Sequence, residues 1–86
     1  MWCEYSLSAV CLCPVDDRPD FYRVTVRSSR TIKVEDILAA VEAEAKKKQF
    51  QEEFTEKLSR TLATEVETVG HHSGVRTAIV CGEDLL

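Results

Sequence analysis

The hydrophobic period of this chain changes twice, and that change limits the fold more than any single residue does. Residues 3–13 alternate, setting Tyr5, Leu7, Ala9 and Cys11 against Ser6, Ser8, Val10 and Leu12, the period-two signature of a strand. Residues 21–29 also alternate, with Tyr22, Val24 and Val26 on one side and Arg23, Thr25 and Arg27 on the other, which makes a second half-buried strand. From Val34 the period lengthens. Val34, Ile37, Leu38 and Val41 mark one helical face, and Phe50, Phe54, Leu58 and Leu62 recur every four residues. No proline or glycine interrupts this stretch, which fits either one bent helix or two with a short joint. Thr31 suits a helix N-cap, and Glu35 and Asp36 suit the positive end of the helix dipole. Residues 64–69 and 75–81 return to strand character. Between them lies Gly70-His71-His72-Ser73-Gly74, read as a turn whose two glycines can take positive φ.

The order is therefore β-β-α-α-β-β, an α+β chain. A four-stranded antiparallel sheet with both helices packed on one face would bury both hydrophobic stripes. The other face would be poorly covered in a single copy, so a homo-oligomer is the physical expectation. Eighty-six residues form one domain, 1–86, with a thin core. Trp2 is expected to pack at the N-terminal end.

Composition excludes several classes. At 44% hydrophobic and 30% charged residues the chain is unlike a disordered one. No apolar run approaches a membrane span, which argues against a membrane partner. The first dozen residues alternate and include Glu4, unlike a signal peptide, so a cytoplasmic location is expected. A net charge of −4 offers no general attraction to nucleic acid. Lys46, Lys47 and Lys48 form a short basic run followed by Glu52, Glu53 and Glu56, read as a solvated helix face held by charge pairs, with phosphate binding as the lesser alternative. Cys3, Cys11, Cys13 and Cys81 show no C-x-x-C spacing and no secretory context, so reduced thiols are expected.

The segment Cys13-Pro14-Val15-Asp16-Asp17-Arg18-Pro19-Asp20-Phe21 sets a thiol and a carboxylate across a loop stiffened by two prolines. A defined turn of this kind can present Cys13 as nucleophile and Asp20 as proton donor to one small substrate. Each also has a structural explanation: Cys13 packing at a strand end, and Asp20 capping its own turn.

Taken together, the element order and this loop resemble the tunnelling-fold superfamily. Its members include GTP cyclohydrolase I, the pterin synthases and 7-cyano-7-deazaguanine reductase, the nitrile reductase of queuosine biosynthesis. Leu12-Cys13-Pro14 through Pro19-Asp20-Phe21 is similar to the nitrile reductase loop, and Phe50-Gln51-Glu52 falls where that family carries an aromatic, a histidine and a glutamate. The segment Gln49-Phe50-Gln51-Glu52-Glu53-Phe54-Thr55 is also similar to the corresponding helix of GTP cyclohydrolase I. The resemblance implies an enzyme acting on a guanine-like, 7-deazaguanine or pterin-like ring, bound between subunits. In this reading Cys13 attacks a nitrile carbon to give a thioimide, Asp20 handles protons, and Glu52 anchors the ring edge, with Gln51 beside it. Read without the resemblance, Glu52 is an exposed carboxylate paired with Lys48.

Departures from the pattern bear on the oxidoreductase chemistry. The reductases' NADPH signature begins with Glu and ends in an aromatic; the nearest stretch, residues 28–35, keeps only its small-basic-small-apolar-Lys pattern, which weighs against NADPH as cofactor. The family histidine is Gln51 here. A shorter archaeal relative, the amidinotransferase that makes archaeosine on tRNA, keeps the thiol chemistry without that signature, but an acidic chain suits a tRNA partner poorly. His71 and His72 are read as polar loop residues, with a substrate or metal role as the competing idea. A zinc site would take Cys11 or Cys13, one histidine and Cys81, although the cyclohydrolase Cys-x-x-His signature is absent. A non-catalytic binding or assembly module on the same fold is the reading from another class.

Overall fold

A computed structural model describes residues 1–82 of the chain. Strands β1 (Cys3–Leu12) and β2 (Pro19–Ser28) are followed by helices α1 (Val34–Glu44) and α2 (Gln51–Leu62), then by β3 (Glu65–His72) and β4 (Val75–Cys81). The strands lie in chain order in a single antiparallel sheet. The expected order and fold class hold. The register sets Tyr5 opposite Val26, Leu7 opposite Val24, Val24 opposite Thr68, and Val66 opposite Cys81. That places the inward-pointing residues of all four strands on one face, under the helices.

The core follows from this register. Val24, Val26, Val66, Phe54, Leu58 and Cys11 are completely buried, with Tyr5, Leu7 and Ala9 packed at the margin. Each large apolar side chain so buried contributes on the order of 1.5–3 kcal/mol. Tyr22 stacks on Phe54 with ring centroids 5.6 Å apart. Gly70 makes this possible. A Cβ at that position would stand 2.6 Å from the Tyr22 ring, so the strand needs glycine for close approach and not for positive φ.

The helical region is two helices. Between them, Lys46 takes a left-handed φ of 65° and residues 46–49 run alongside the end of β1. Lys46 N–H donates to Val10 O at 2.8 Å, Leu12 N–H to Lys47 O at 3.0 Å, and Gln49 N–H to Leu12 O at 3.2 Å. The three lysines therefore sit in the joint between the helices, Lys46 in its turn and Lys48 bridged to β1, not on a helix face. Their backbone groups find partners on the free edge of β1, which a helix could not offer. Lys48 pairs with Asp17 at 2.6 Å and Lys47 with Glu44 at 3.2 Å.

Other expectations are corrected. Helix α1 starts beyond Thr31: Lys33 occupies the N-cap with no side-chain cap, while Glu35 and Asp36 do fall in the first turn. Only Ile37, Ala40 and Val41 of α1 are buried; Val34 and Leu38 are half exposed, because α1 lies at the edge of the core and turns a narrower stripe inward. The last hairpin turns at Ser73 and Gly74 alone, both at positive φ (51° and 82°). Gly70, His71 and His72 belong to β3. Trp2 is 61% exposed and does not pack. The outer face of the sheet is charged at one end: Arg27 of β2 joins Glu4 of β1 and Glu65 and Glu67 of β3 at 3.4, 3.1 and 2.7 Å, while Phe21 stands exposed toward the other end of β2.

Candidate functional site

Three separate parts of the chain meet at one end of the sheet. The β1–β2 loop brings Cys13 and Val15, the start of β2 brings Asp20, residues 50–52 bring Phe50, Gln51 and Glu52, and the end of β3 brings His72; together they line a cavity of about 280 Å³. Small-molecule pockets run from about 300 to 1,000 Å³, so this one has room for a single small ring system. Of the six site residues expected from sequence, only His71 lies elsewhere. It neighbours His72 on the same strand, so alternation turns it to the outer face, where it is exposed.

The loop is a closed turn. Cys13 N–H donates to Arg18 O at 2.8 Å, and Asp17, at φ 61°, donates back to Cys13 O at 3.0 Å. The thiol is half-buried just past the end of β1. Asp16 accepts from the Arg18 amide at 3.0 Å; that bond chiefly holds its carboxyl below the usual range, with the Cys13 thiol a smaller donor. Cys11, two residues earlier, differs sharply. It is fully buried, with its sulfur near Gln49 Nε2, and burial first, then the charge of Asp20, pushes its thiol up to about 11. Of the two, Cys13 lines the cavity and Cys11 does not.

The Asp20 carboxylate does not cap the Pro-Asp turn. Oδ2 accepts from the Tyr22 hydroxyl at 3.4 Å, and Oδ1 lies 3.8 Å from His72 Nδ1. Tyr22 is held above the ordinary phenol range by burial and by this carboxylate, so its hydroxyl stays a donor. The placement follows from register: β2 and β3 pair Arg23 with Val69, and continuing that pairing brings His72 across from Asp20.

Gln51 is almost wholly buried and bound to the scaffold, and it also lines the cavity. Its Nε2 donates to Thr68 O at 3.1 Å and to Thr77 O at 3.0 Å, tying α2 to β3 and β4. Glu52 is exposed at the cavity wall, in the first turn of α2, and free of Lys48, which lies outside the helix beside Asp17. Phe50, half exposed, gives the cavity an aromatic wall suited to stacking on a flat ring. Tyr22 was missed as a support of the site, although its place two residues after Asp20 put both side chains on the same strand face.

The zinc constellation is not assembled. Cys81 pairs with Val66 at the far end of the sheet from Cys11 and Cys13. Among the described residues no group of three or more His, Cys, Asp or Glu is arranged to hold a metal ion. Residues 28–35, the remnant of the cofactor signature, also begin at that far end, where Ser28 pairs with Cys3.

The sheet, its paired helices and their order define a tunnelling-fold protein. Among solved structures the chain is similar to the archaeosine synthase QueF-Like in its apo form, with a TM-score of 0.83 and 17% identity over 93% of this chain and 90% of that one. At that identity the likeness speaks for the fold. No model of a known protein family matches the chain. No curated protein matches it either. Among the described residues no helix is long and apolar enough to cross a membrane.

Proposed function

We propose that this protein binds an unphosphorylated guanine-like or 7-deazaguanine ring and captures a nitrile on it through Cys13. The observation that carries the reading is the convergence of Cys13, Asp20 and Glu52 on one cavity whose described lining holds two carboxylates and an imidazole but no lysine or arginine. Such a wall suits the N–H donors of a purine-like edge, which an acceptor-only carboxylate such as Glu52 can take in pairs. It is a poor host for a triphosphate, which separates this reading from cyclohydrolase-like chemistry on GTP or pterin formation. The solved structure it resembles is named an archaeosine synthase, and its fold adds support for a deazaguanine ligand.

The step is an addition. The Cys13 sulfur bonds to the nitrile carbon, one π pair of the C≡N bond passes to nitrogen, and the thiol proton, relayed by Asp20, ends on that nitrogen as a neutral thioimide. The proposal ends there and assigns no reductant. Assembly of several copies, as expected from the exposed sheet face, belongs to the same reading.

Intact-mass spectrometry of the protein incubated with 7-cyano-7-deazaguanine tests it. An adduct of one ligand mass that is lost in Cys13→Ala is the expected result. No adduct, with no guanine-like base raising Tm, overturns the reading. A raised Tm without an adduct leaves a binding module that lacks the chemistry.

A further inference from the structure

Gln51 determines more than helix placement. Its Nε2 faces two backbone carbonyls, Thr68 O and Thr77 O, groups that can only accept. The side-chain amide therefore cannot be turned over, and Oε1 must be the atom facing His72 Nε2 at 2.9 Å. An amide oxygen only accepts, so His72 Nε2 carries a proton and donates it. The other ring nitrogen, Nδ1, then faces Asp20 Oδ1 at 3.8 Å, about 1 Å beyond hydrogen-bond contact. Catalytic hydrogen bonds are often this long before substrate tightens them. Each partner is held independently. Asp20 is fixed by the Tyr22 hydroxyl and by its pairing with Cys11 in the β1–β2 ladder; the His72 ring lies 6.1 Å from that of Tyr22. Gln51 is backed by Thr68 Oγ1 at 3.1 Å, itself 2.6 Å from Thr55 Oγ1.

We infer that Asp20 and His72 act as one proton-accepting pair, with Nδ1 and Oδ1 taking up a proton during the reaction and Gln51 as the positioning residue that keeps the resting ring in the Nε2–H tautomer. The inference rests on the ring-and-thiol reading above for its substrate, but the pairing itself does not. In the addition step the pair takes the proton that leaves Cys13 and passes it to the nitrile nitrogen as the sulfur–carbon bond forms, so none is left over. The groups facing His72 are Asp20 and Tyr22 from β2, Gln51 and Glu52 from α2, and Cys13 from the loop, all of them at the cavity except Tyr22, which supports it from below.

Nitrogen-15 spectra of histidine-labelled, ligand-free protein test the pairing. The expected result is a single Nε2–H tautomer for His72 with a slowly exchanging ring proton, beside an averaged signal for exposed His71. Asp20→Asn should keep that tautomer and change the nitrogen-15 shift of Nδ1, which no longer faces a carboxylate. Gln51→Met should lose the slow ring proton, and if it does not fold the Asp20→Asn result decides. An Nδ1–H tautomer, or an Nδ1 shift that Asp20→Asn leaves in place, overturns the inference. With the nitrile, His72→Asn and Asp20→Asn should each slow adduct formation about 100-fold without reducing its final yield. A wild-type protein that shows the pairing but forms no adduct keeps the pair and sinks the ring reading. An adduct without the pairing does the reverse.

Discussion

At the scale of single residues, what surrounds a side chain matters more here than what it is. Two cysteines two positions apart have opposite fates, because Cys11 points under the helices and Cys13 follows the strand into the loop. Native protein should therefore alkylate at Cys13 while Cys11 stays protected until unfolding, which peptide mapping after brief iodoacetamide treatment would show. The Cys11 thiol has a further consequence. Its folded-state value of about 11 lies above an ordinary 9.0, so the folded state holds this proton longer than the unfolded chain does. That contribution to stability is complete below pH 9 and lost as pH rises through 11. Thermal melts across this range should fall for the wild type, and Cys11→Ala should melt lower overall but with a flatter slope. Gly70 supplies a second test. A methyl group there meets the Tyr22 ring at 2.6 Å, and the ring is confined by Phe54 and Asp20. Gly70→Ala should cost about 1–3 kcal/mol by denaturant titration, and no loss would mean that the ring moves freely.

At the scale of elements, the strands were legible because their period of two is set by burial on one face, which the sequence displays directly. The boundaries of the helices were not. Thr31 looked like a cap, but the helix starts three residues on, without a side-chain cap, because Ser28 and Tyr5 already hold the loop before it: Ser28 Oγ accepts from Arg30 N–H, and Tyr5 hydroxyl from Ile32 N–H, both at 3.0 Å. The lysine run gave no sign of lying against β1, since backbone pairing at a sheet edge leaves no mark in side-chain pattern. Motif spacing singled out Cys13, Asp20 and Glu52, which line one cavity. The hydrogen bond between Gln51 and His72 was not legible, because it depends on partners brought near only by the fold. Helix α2 ends on Ala63 in the left-handed conformation at φ 52°, with Arg30 Nη2 donating to Leu62 O at 2.8 Å. Ala63→Gly should raise stability by about 1 kcal/mol, since glycine takes this conformation without a Cβ penalty. A lower Tm would show that the Ala63 methyl group makes contacts that matter.

At the scale of the whole molecule, stability rests on one thin layer between sheet and helices. Phe54, wholly buried and stacked on Tyr22, sits at its centre. Phe54→Ala should remove about 3–5 kcal/mol, a large share of what a domain of this size holds, and should loosen the support beneath Asp20 as well. Loss of cooperative melting, followed by calorimetry, is the expected outcome. The register has one more consequence. Cys3 and Cys81 lie at the same end of the sheet, opposite Ser28 and Val66, whereas Cys13, Asp20 and His72 gather at the other end. Chain joined before Cys3 leaves from the side away from the cavity. A tether, an affinity handle or a surface attachment at the N-terminus would thus hold the molecule with its cavity facing outward, free to meet a ligand in solution.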